Sequence, residues 1–236
     1  DPRIVIAYEE DATGQAIVHL LAPDGRSAGP GWPRYLEDEY PFYATIADID
    51  QDGEAEVLVG GYSGLNVPAH VYALRADGAD ANGNWPQTIY EPDDIPPAGG
   101  ATPFISVADL DPLYPGLELV APGRWKRLVY AFHCDGTTVP GWPYVGPDSA
   151  LIGNSAAIGN IDGVGGLDVA VGNGLADWVA ARHLLLIGAD GSDLGGSPID
   201  VGGFVQTIET LADLEGDGTI EILLPVGGTG MLECWE

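Results

Sequence analysis

The stretch ADIDQDGEAEVLVGG, Ala47 to Gly61, sets five carboxylates ahead of a short apolar run, and the pattern returns three more times. VADLDPLYPGLELVAPG starts at Val107, AIGNIDGVGGLDVAVGNG at Ala157 and LADLEGDGTIEILLPVGG at Leu211. The leading residues are Asp48, Asp109, Asn160 and Asp213, a period of roughly fifty residues. A chain that repeats at this interval builds one supersecondary unit several times and buries its core between neighbouring units.

The rest of the unit repeats too. Each acidic loop and its apolar strand precede a second strand ending in Asp-Gly: HVYALRADG, LVYAFHCDG and HLLLIGADG, with a further copy, AIVHLLAPDG, near the N-terminus. Asp-Gly takes the positive φ of a tight hairpin. A few residues later come Gly31-Trp32-Pro33, Asn84-Trp85-Pro86, Gly141-Trp142-Pro143 and the degenerate Gly196-Ser197-Pro198. Proline there suits the start of an outer edge strand. Each unit therefore reads as strand A, acidic loop, strand B, strand C, Asp-Gly turn and edge strand D.

B strands such as EVLVGG and DVAVGN are short, β-branched and bounded by glycine, and no segment sustains a 3.6-residue apolar period. Counting RIVIAYE (Arg3 to Glu9) as a B strand and GMLECWE as a C strand, the chain has four A strands but five B and five C strands. The expectation is an all-β chain, a β-propeller of four-stranded blades holding about four and a half blades. It forms a single domain with units at approximately 1–41, 42–97, 98–150, 151–202 and 203–236. An imperfect five-blade ring, a portion of a larger ring such as one of seven blades, or completion by a second chain would each protect the blade edges.

Composition narrows the partners. Against 36 acidic residues stand 8 basic ones, a formal net charge of −28, and Lys126 is the one lysine. A field of that sign repels phosphate backbones and anionic lipid, so neither nucleic acid nor membrane insertion is expected. The acids hold cations, solvate the surface in a salty or extracellular setting, or both. Cys134 and Cys234 lie outside any CxxC or Cys/His cluster and in non-consecutive units, so neither zinc nor a disulfide is expected. No stretch reads as a signal peptide or a membrane span.

Asp48, Asp50 and Asp52 alternate, Gly53 follows, and Glu56 sits eight residues after Asp48. Calcium takes six to eight oxygens from a curled loop, and alternate residues can turn their carboxylates inward while glycine permits the bend. An EF-hand would need a glutamate at its twelfth position, where Val59 stands. The fourth loop keeps Asp213, Glu215, Asp217 and Glu221; the third offers Asn160, Asp162 and Asp168 but has Val164 in the middle. The second has Asp109, Asp111 and Glu118, with Pro112 and Pro115 intruding and one residue more. The alternative is that the carboxylates only accept backbone N–H groups in Asp/Gly turns. Recurrence between the same two strands favours two to four calcium ions, ranked first, fourth, third, second.

These loops resemble the FG-GAP or VCBS-type repeat of integrin-like β-propellers, in which a DxDxDGxxD/E loop joins strands A and B. Leu119 to Gly123 (LVAPG) approaches that family's Gly-Ala-Pro, whereas Phe42, Phe104 and Phe204 lack the glycine of its Phe-Gly. The resemblance implies calcium in the loops and a role in adhesion or ligand display, with some relatives binding glycans or accompanying secreted hydrolases and lyases.

No catalytic grouping stands out. His19, His70, His133 and His183 fall on C strands of different units and read as core or surface residues, and the Gly163–Gly166 run opens no helix. Trp32, Trp85 and Trp142 recur in one slot, which favours sealing the seam between blades over stacking sugars. Trp125 and Trp178 break the pattern, in B–C loops near Arg124, Lys126 and Arg182, and are the candidate ligand-binding residues. The expectation is a non-catalytic, secreted or cell-surface recognition module for a protein or glycan ligand. Its alternatives are a lectin and an accessory propeller domain of a secreted polysaccharide-degrading enzyme. The scarcity of lysine also suggests adaptation to salt.

Overall fold

The computed structural model of the chain describes residues 2–64, 67–89, 104–123, 127–146, 155–173, 182–203, 205, 209–227 and 230–235. Five antiparallel sheets follow one another, with no helix among the described residues. The first holds β1 (Ile4–Glu10), β2 (Gln15–Leu21) and β3 (Arg34–Tyr35). The second holds β4 (Tyr40–Ala47), β5 (Glu56–Tyr62), β6 (Ala69–Leu74) and β7 (Gln87–Ile89). The third comprises β8 (Ser106–Ala108), β9 (Glu118–Pro122), β10 (Leu128–Phe132) and β11 (Tyr144–Val145). The fourth comprises β12 (Ala157–Gly159), β13 (Asp168–Gly172), β14 (His183–Ile187) and β15 (Ile199–Asp200). The fifth has β16 (Thr210–Ala212), β17 (Glu221–Val226) and β18 (Met231–Trp235).

Every sheet is a meander in chain order, so the A-B-C-D reading holds strand by strand. The first sheet lacks strand A and the fifth lacks strand D. Each D strand begins directly after its proline, because an edge strand loses no ladder bond there. Gly25, Gly78, Gly136 and Gly191 close the C–D hairpins with φ between 76° and 84°.

Beyond their leading acids, the B strands β5, β9 and β13 are apolar because both of their faces are covered. All five residues of β9 and of β13 are buried. Alternate residues serve opposite neighbours. Val57 and Val59 pack with Ala16, Val18 and Leu20 of the first sheet, while Leu58 packs with Leu119 and Ala121 of the third. Four such cores join consecutive sheets, as stacked blades require. Among the described residues no core joins the fifth sheet to the first, and no closed ring is formed.

The recurrent tryptophans seal three of these seams. Trp32, Trp85 and Trp142 are buried, and each indole N–H donates across to the next unit, to the carbonyls of Ala76, Cys134 and Ala189 at 2.9 Å. Those carbonyls directly precede Asp77, Asp135 and Asp190 of the Asp-Gly turns. Gly31 and Gly78 pack backbone to backbone at the same contact; a Cβ on either would collide with the other's turn, and Gly141 and Gly191 repeat the arrangement. The residues two beyond Trp32 and Trp142 add to the clamp. Arg34 donates to Gly78 O at 2.7 Å and to Asp80 at 2.8 Å, and Tyr144 donates to Asp193 at 2.8 Å.

Candidate functional site

The acidic loops all open from strand A and close on strand B, whose first residue is the distal acid. Glu56, Glu118, Asp168 and Glu221 are each buried, and each accepts the N–H that follows the loop's leading residue. The donors are Ile49 at 3.0 Å, Leu110 at 2.8 Å, Ile161 at 2.9 Å and Leu214 at 2.6 Å. One oxygen of this acid thus staples each of the four loops.

In the first loop, ligand atoms of Asp48, Asp50 and Glu56 lie within 4.8 Å of one another. Asp48 Oδ2 accepts the N–H of Gly53, Asp50 that of Asp52, and Asp52 that of Glu54. Asp48 Oδ1 is buried and has no hydrogen-bond partner. Burial, helped by the charges of Asp50, Asp52 and Asp48, pushes Glu56 up to about 7. A half-buried anionic cluster with an unclaimed oxygen fits a hard cation bound through carboxylates.

The third loop repeats that signature at the equivalent residue. Asn160 Oδ1 is likewise buried without a partner. Burial raises Asp168, while Asp162 is exposed and holds the N–H of Val164. At the mid-loop position Val164 is 72% exposed, so no side-chain oxygen is contributed there.

The fourth loop is more open. Both oxygens of the exposed Asp213 are taken by the N–H groups of Gly216, Asp217 and Gly218. Glu221, close to Glu215, raises the Glu215 carboxyl. Loop 4 therefore has two adjacent acids but a leading residue already satisfied by backbone.

The second loop is closed by protein. Glu118 Oε2 accepts both Leu110 and Asp111 N–H, and its Oε1 meets His133 Nδ1 at 3.0 Å. The imidazole stacks on Tyr114 with centroids 3.7 Å apart, and Tyr114 donates to Asp135 at 2.7 Å. Asp109 is exposed, and Leu113, at the mid-loop position, is 96% exposed. The intruding prolines carry the loop against its neighbour, with Leu117 N–H on Ile49 O at 2.8 Å.

Beside this loop lies a cleft of about 340 Å³, bounded by Leu110, Pro112 and Leu113, by Val139 and Pro140, and across the seam by Ala189. Gly166 of the third loop borders it, with no side chain to fill it, and Asp111 and Asp190 are its charged residues. Trp125 and Trp178 lie outside the described residues.

A second polar group escaped the sequence reading. Asp38, fully buried before strand A of the second sheet, accepts Ser63 Oγ at 2.9 Å and Tyr72 O–H at 2.5 Å and meets His70 Nδ1 at 2.9 Å. The hydrogen bond to Asp38 raises His70, and burial raises Tyr72. Ser63 donates to the carboxylate rather than to His70, so the hydroxyl–imidazole contact of an activated nucleophile is not made. Glu209 is also buried; its Oε1 accepts Gly172 N–H, and burial pushes it up to about 8.

No family model matches the chain, and no curated protein matches it. Among solved structures, the fold likeness rests on one domain. The Pseudomonas aeruginosa PilY1 C-terminal domain superposes with a TM-score of 0.51 at 14% identity, over 98% of this chain and 60% of that one. Exotype rhamnogalacturonan lyase YesX gives 0.45 at 14% identity, over 98% and 52%, and the V. cholerae biofilm matrix protein Bap1 gives 0.38 at 16%, over 80% and 35%. The chain thus spans 60% or less of each of these chains. The likeness is one of fold: an all-β chain of consecutive blade-like antiparallel sheets.

Proposed function

We propose that the chain is a calcium-stabilised, extracellular β-propeller module, part of a larger ring, that recognises a protein or glycan ligand without catalysis. The observation that carries the calcium reading is the pair of equivalent oxygens, Asp48 Oδ1 and Asn160 Oδ1, both buried and unpartnered in loops of the same design. Asp48, Asp50, Asp52 and Glu56 would hold the ion in the first loop, and Asn160, Asp162 and Asp168 in the third. A bound divalent ion supplies the positive charge that these clustered acids lack. Asp213, Glu215, Asp217 and Glu221 make a weaker third site, and the second loop is held by His133 instead.

The recognition reading rests on asymmetry: the seams and acidic loops recur, whereas the cleft beside Leu113 is walled by Pro112 and Leu113, which the second acidic loop alone carries. Apolar walls with a few polar groups suit a ligand's side chain or ring. Immobilised protein screened against glycan arrays and matrix proteins, in calcium and in EDTA, tests this. Retention that calcium supports and EDTA abolishes is the expected result; no retention on any surface in calcium contradicts it.

A further inference from the structure

The seams have a direction. The face of each sheet that carries the first and third apolar residues of strand B packs on the preceding unit. In the second sheet these are Val57 and Val59 with Tyr72 and Leu74, all buried against the first sheet. In the third sheet Leu119 and Ala121 with Tyr130 and Phe132 do the same against the second. In the fourth, Val169 and Val171 with Leu185 and Ile187 pack on the third. The Asp-Gly turn at the end of the same face then receives the preceding unit's tryptophan.

Among the described residues no other sheet's core covers this face of the first sheet, where Ile17 is buried and Tyr8 stacks on His19. Counting back from the Asp-Gly turn, and by the pairing of Ile4 with Leu21 and Ile6 with His19, the equivalents of Val57, Val59, Tyr72 and Leu74 are Ile4, Ile6, His19 and Leu21. Ile4 is 49% and Ile6 44% exposed, where their counterparts are 1% and 0%. Tyr8, the next residue on that side, is 43% exposed. The turn itself is formed like the others, with Gly25 at φ 81° and its N–H on Ala22 O. Yet Gly25 is exposed and a Cβ there would meet nothing, whereas Gly78 and Gly136 are buried under the neighbouring strand. The Pro23 carbonyl corresponds to those of Ala76, Cys134 and Ala189, and no described residue donates to it.

We propose that this face is a half-seam that docks a further β-sheet unit whose edge strand is entered by Gly-Trp-Pro, the indole donating to the Pro23 carbonyl. Three precedents in the same molecule specify the occupant: the backbone of the residue before the tryptophan, Gly31, Asn84 or Gly141, over the turn glycine, an indole on the carbonyl, and an apolar sheet face over Ile4, Ile6 and Leu21. The chain has no spare tryptophan of this kind to offer. Trp32, Trp85 and Trp142 are engaged in their own seams, and the fourth copy reads Gly196-Ser197-Pro198. A second copy of residues 1–236 therefore does not satisfy the half-seam, and the occupant is a unit with its own Gly-Trp-Pro. The inference shares the blade reading of the proposed function but not its calcium sites.

A graft tests it. Residues 98–168 joined to Ile4, in place of Asp1–Arg3, add a whole unit with Gly141-Trp142-Pro143 and a strand A in register, since Arg3 stands where Asp168 does. The expected result is a Tm higher by roughly 4 °C or more and protection of Tyr8 and Ile6 from hydroxyl-radical labelling. Replacing the grafted tryptophan alone by alanine should reverse most of both effects. An unchanged Tm, or a gain that survives this replacement, overturns the proposal. If the graft fails to fold, a photo-crosslinker at Ile6 of the unmodified chain, in the cells that make it, decides. Adducts on a peptide containing Gly-Trp-Pro support the half-seam, and adducts confined to peptides lacking it, or none, overturn it.

Discussion

His133 Nδ1 lies 3.0 Å from Glu118 Oε1, with both side chains buried, and the leading residue of that acidic loop, Asp109, is exposed. At the same distance ahead of the Asp-Gly turn the second and fourth sheets carry Arg75 and Gly188, neither of which is bonded to the distal acid of its loop. The imidazole thus occupies the acid's second oxygen. His133→Ala should cost about 1–3 kcal/mol by leaving that oxygen buried and unpaired. Urea unfolding should give the same loss in calcium and in EDTA; a loss seen only in calcium would show that the loop holds metal.

Trp85→Ala should lower stability by about 3–5 kcal/mol, the range for deleting a large buried aromatic. Its indole both fills the core between the second and third sheets and donates to Cys134 O. Trp85→Phe keeps most of the apolar contact and should cost distinctly less. Equal losses in denaturant unfolding would mean that the hydrogen bond, not the packing, dominates the seam.

With calcium in the first loop as proposed, Glu56 would couple its binding to protons. Its carboxyl is pushed up to about 7, chiefly by burial, and must ionise to bind the ion. Affinity should therefore rise with pH up to about 7, with proton release on binding below that value, as calorimetry in buffers of different ionisation enthalpy would record. Without metal the sign for stability is opposite. Because the folded value exceeds the ordinary 4.5, this group's contribution declines as pH rises from 4.5 to about 7. Glu56→Gln should abolish both dependences.

The Asp38 group gives a second pH signature. His70 is raised above 6.5, first by its hydrogen bond to Asp38 and then by the charges of Asp38 and Glu37. A raised histidine stabilises fully below 6.5, and the contribution is lost as pH rises through the higher folded value. His70→Gln should flatten that part of the stability profile in urea unfolding, and an unchanged slope would assign it elsewhere.

Much of the fold was legible because the features that set it are local and recur. Asp-Gly fixed the hairpins, the prolines marked the starts of the edge strands, and the unbroken apolar B strands signalled burial on both faces. Repetition also placed Trp32, Trp85 and Trp142 in the seams. What escaped was non-local and unrepeated. Asp38 is 32 residues from His70 and belongs to no repeated motif. Nothing in the order of residues says that His133 turns onto Glu118 rather than away from it. The cleft beside Leu113 arises where Gly166 of one loop faces Pro112 and Leu113 of another across a seam. The four acidic loops looked graded by carboxylate count, but burial grades them differently. Asn160 of the third keeps a buried, unclaimed oxygen, whereas Asp213 of the better-matched fourth is exposed and bonded to backbone.

Thermal unfolding in EDTA, then with millimolar calcium restored, bears most directly on the acidic loops as cation sites. A Tm higher by roughly 4 °C or more in calcium is expected from the linkage of binding to folding, with most of the gain lost in Asp48→Asn. A Tm that is the same in EDTA and in calcium would contradict the account.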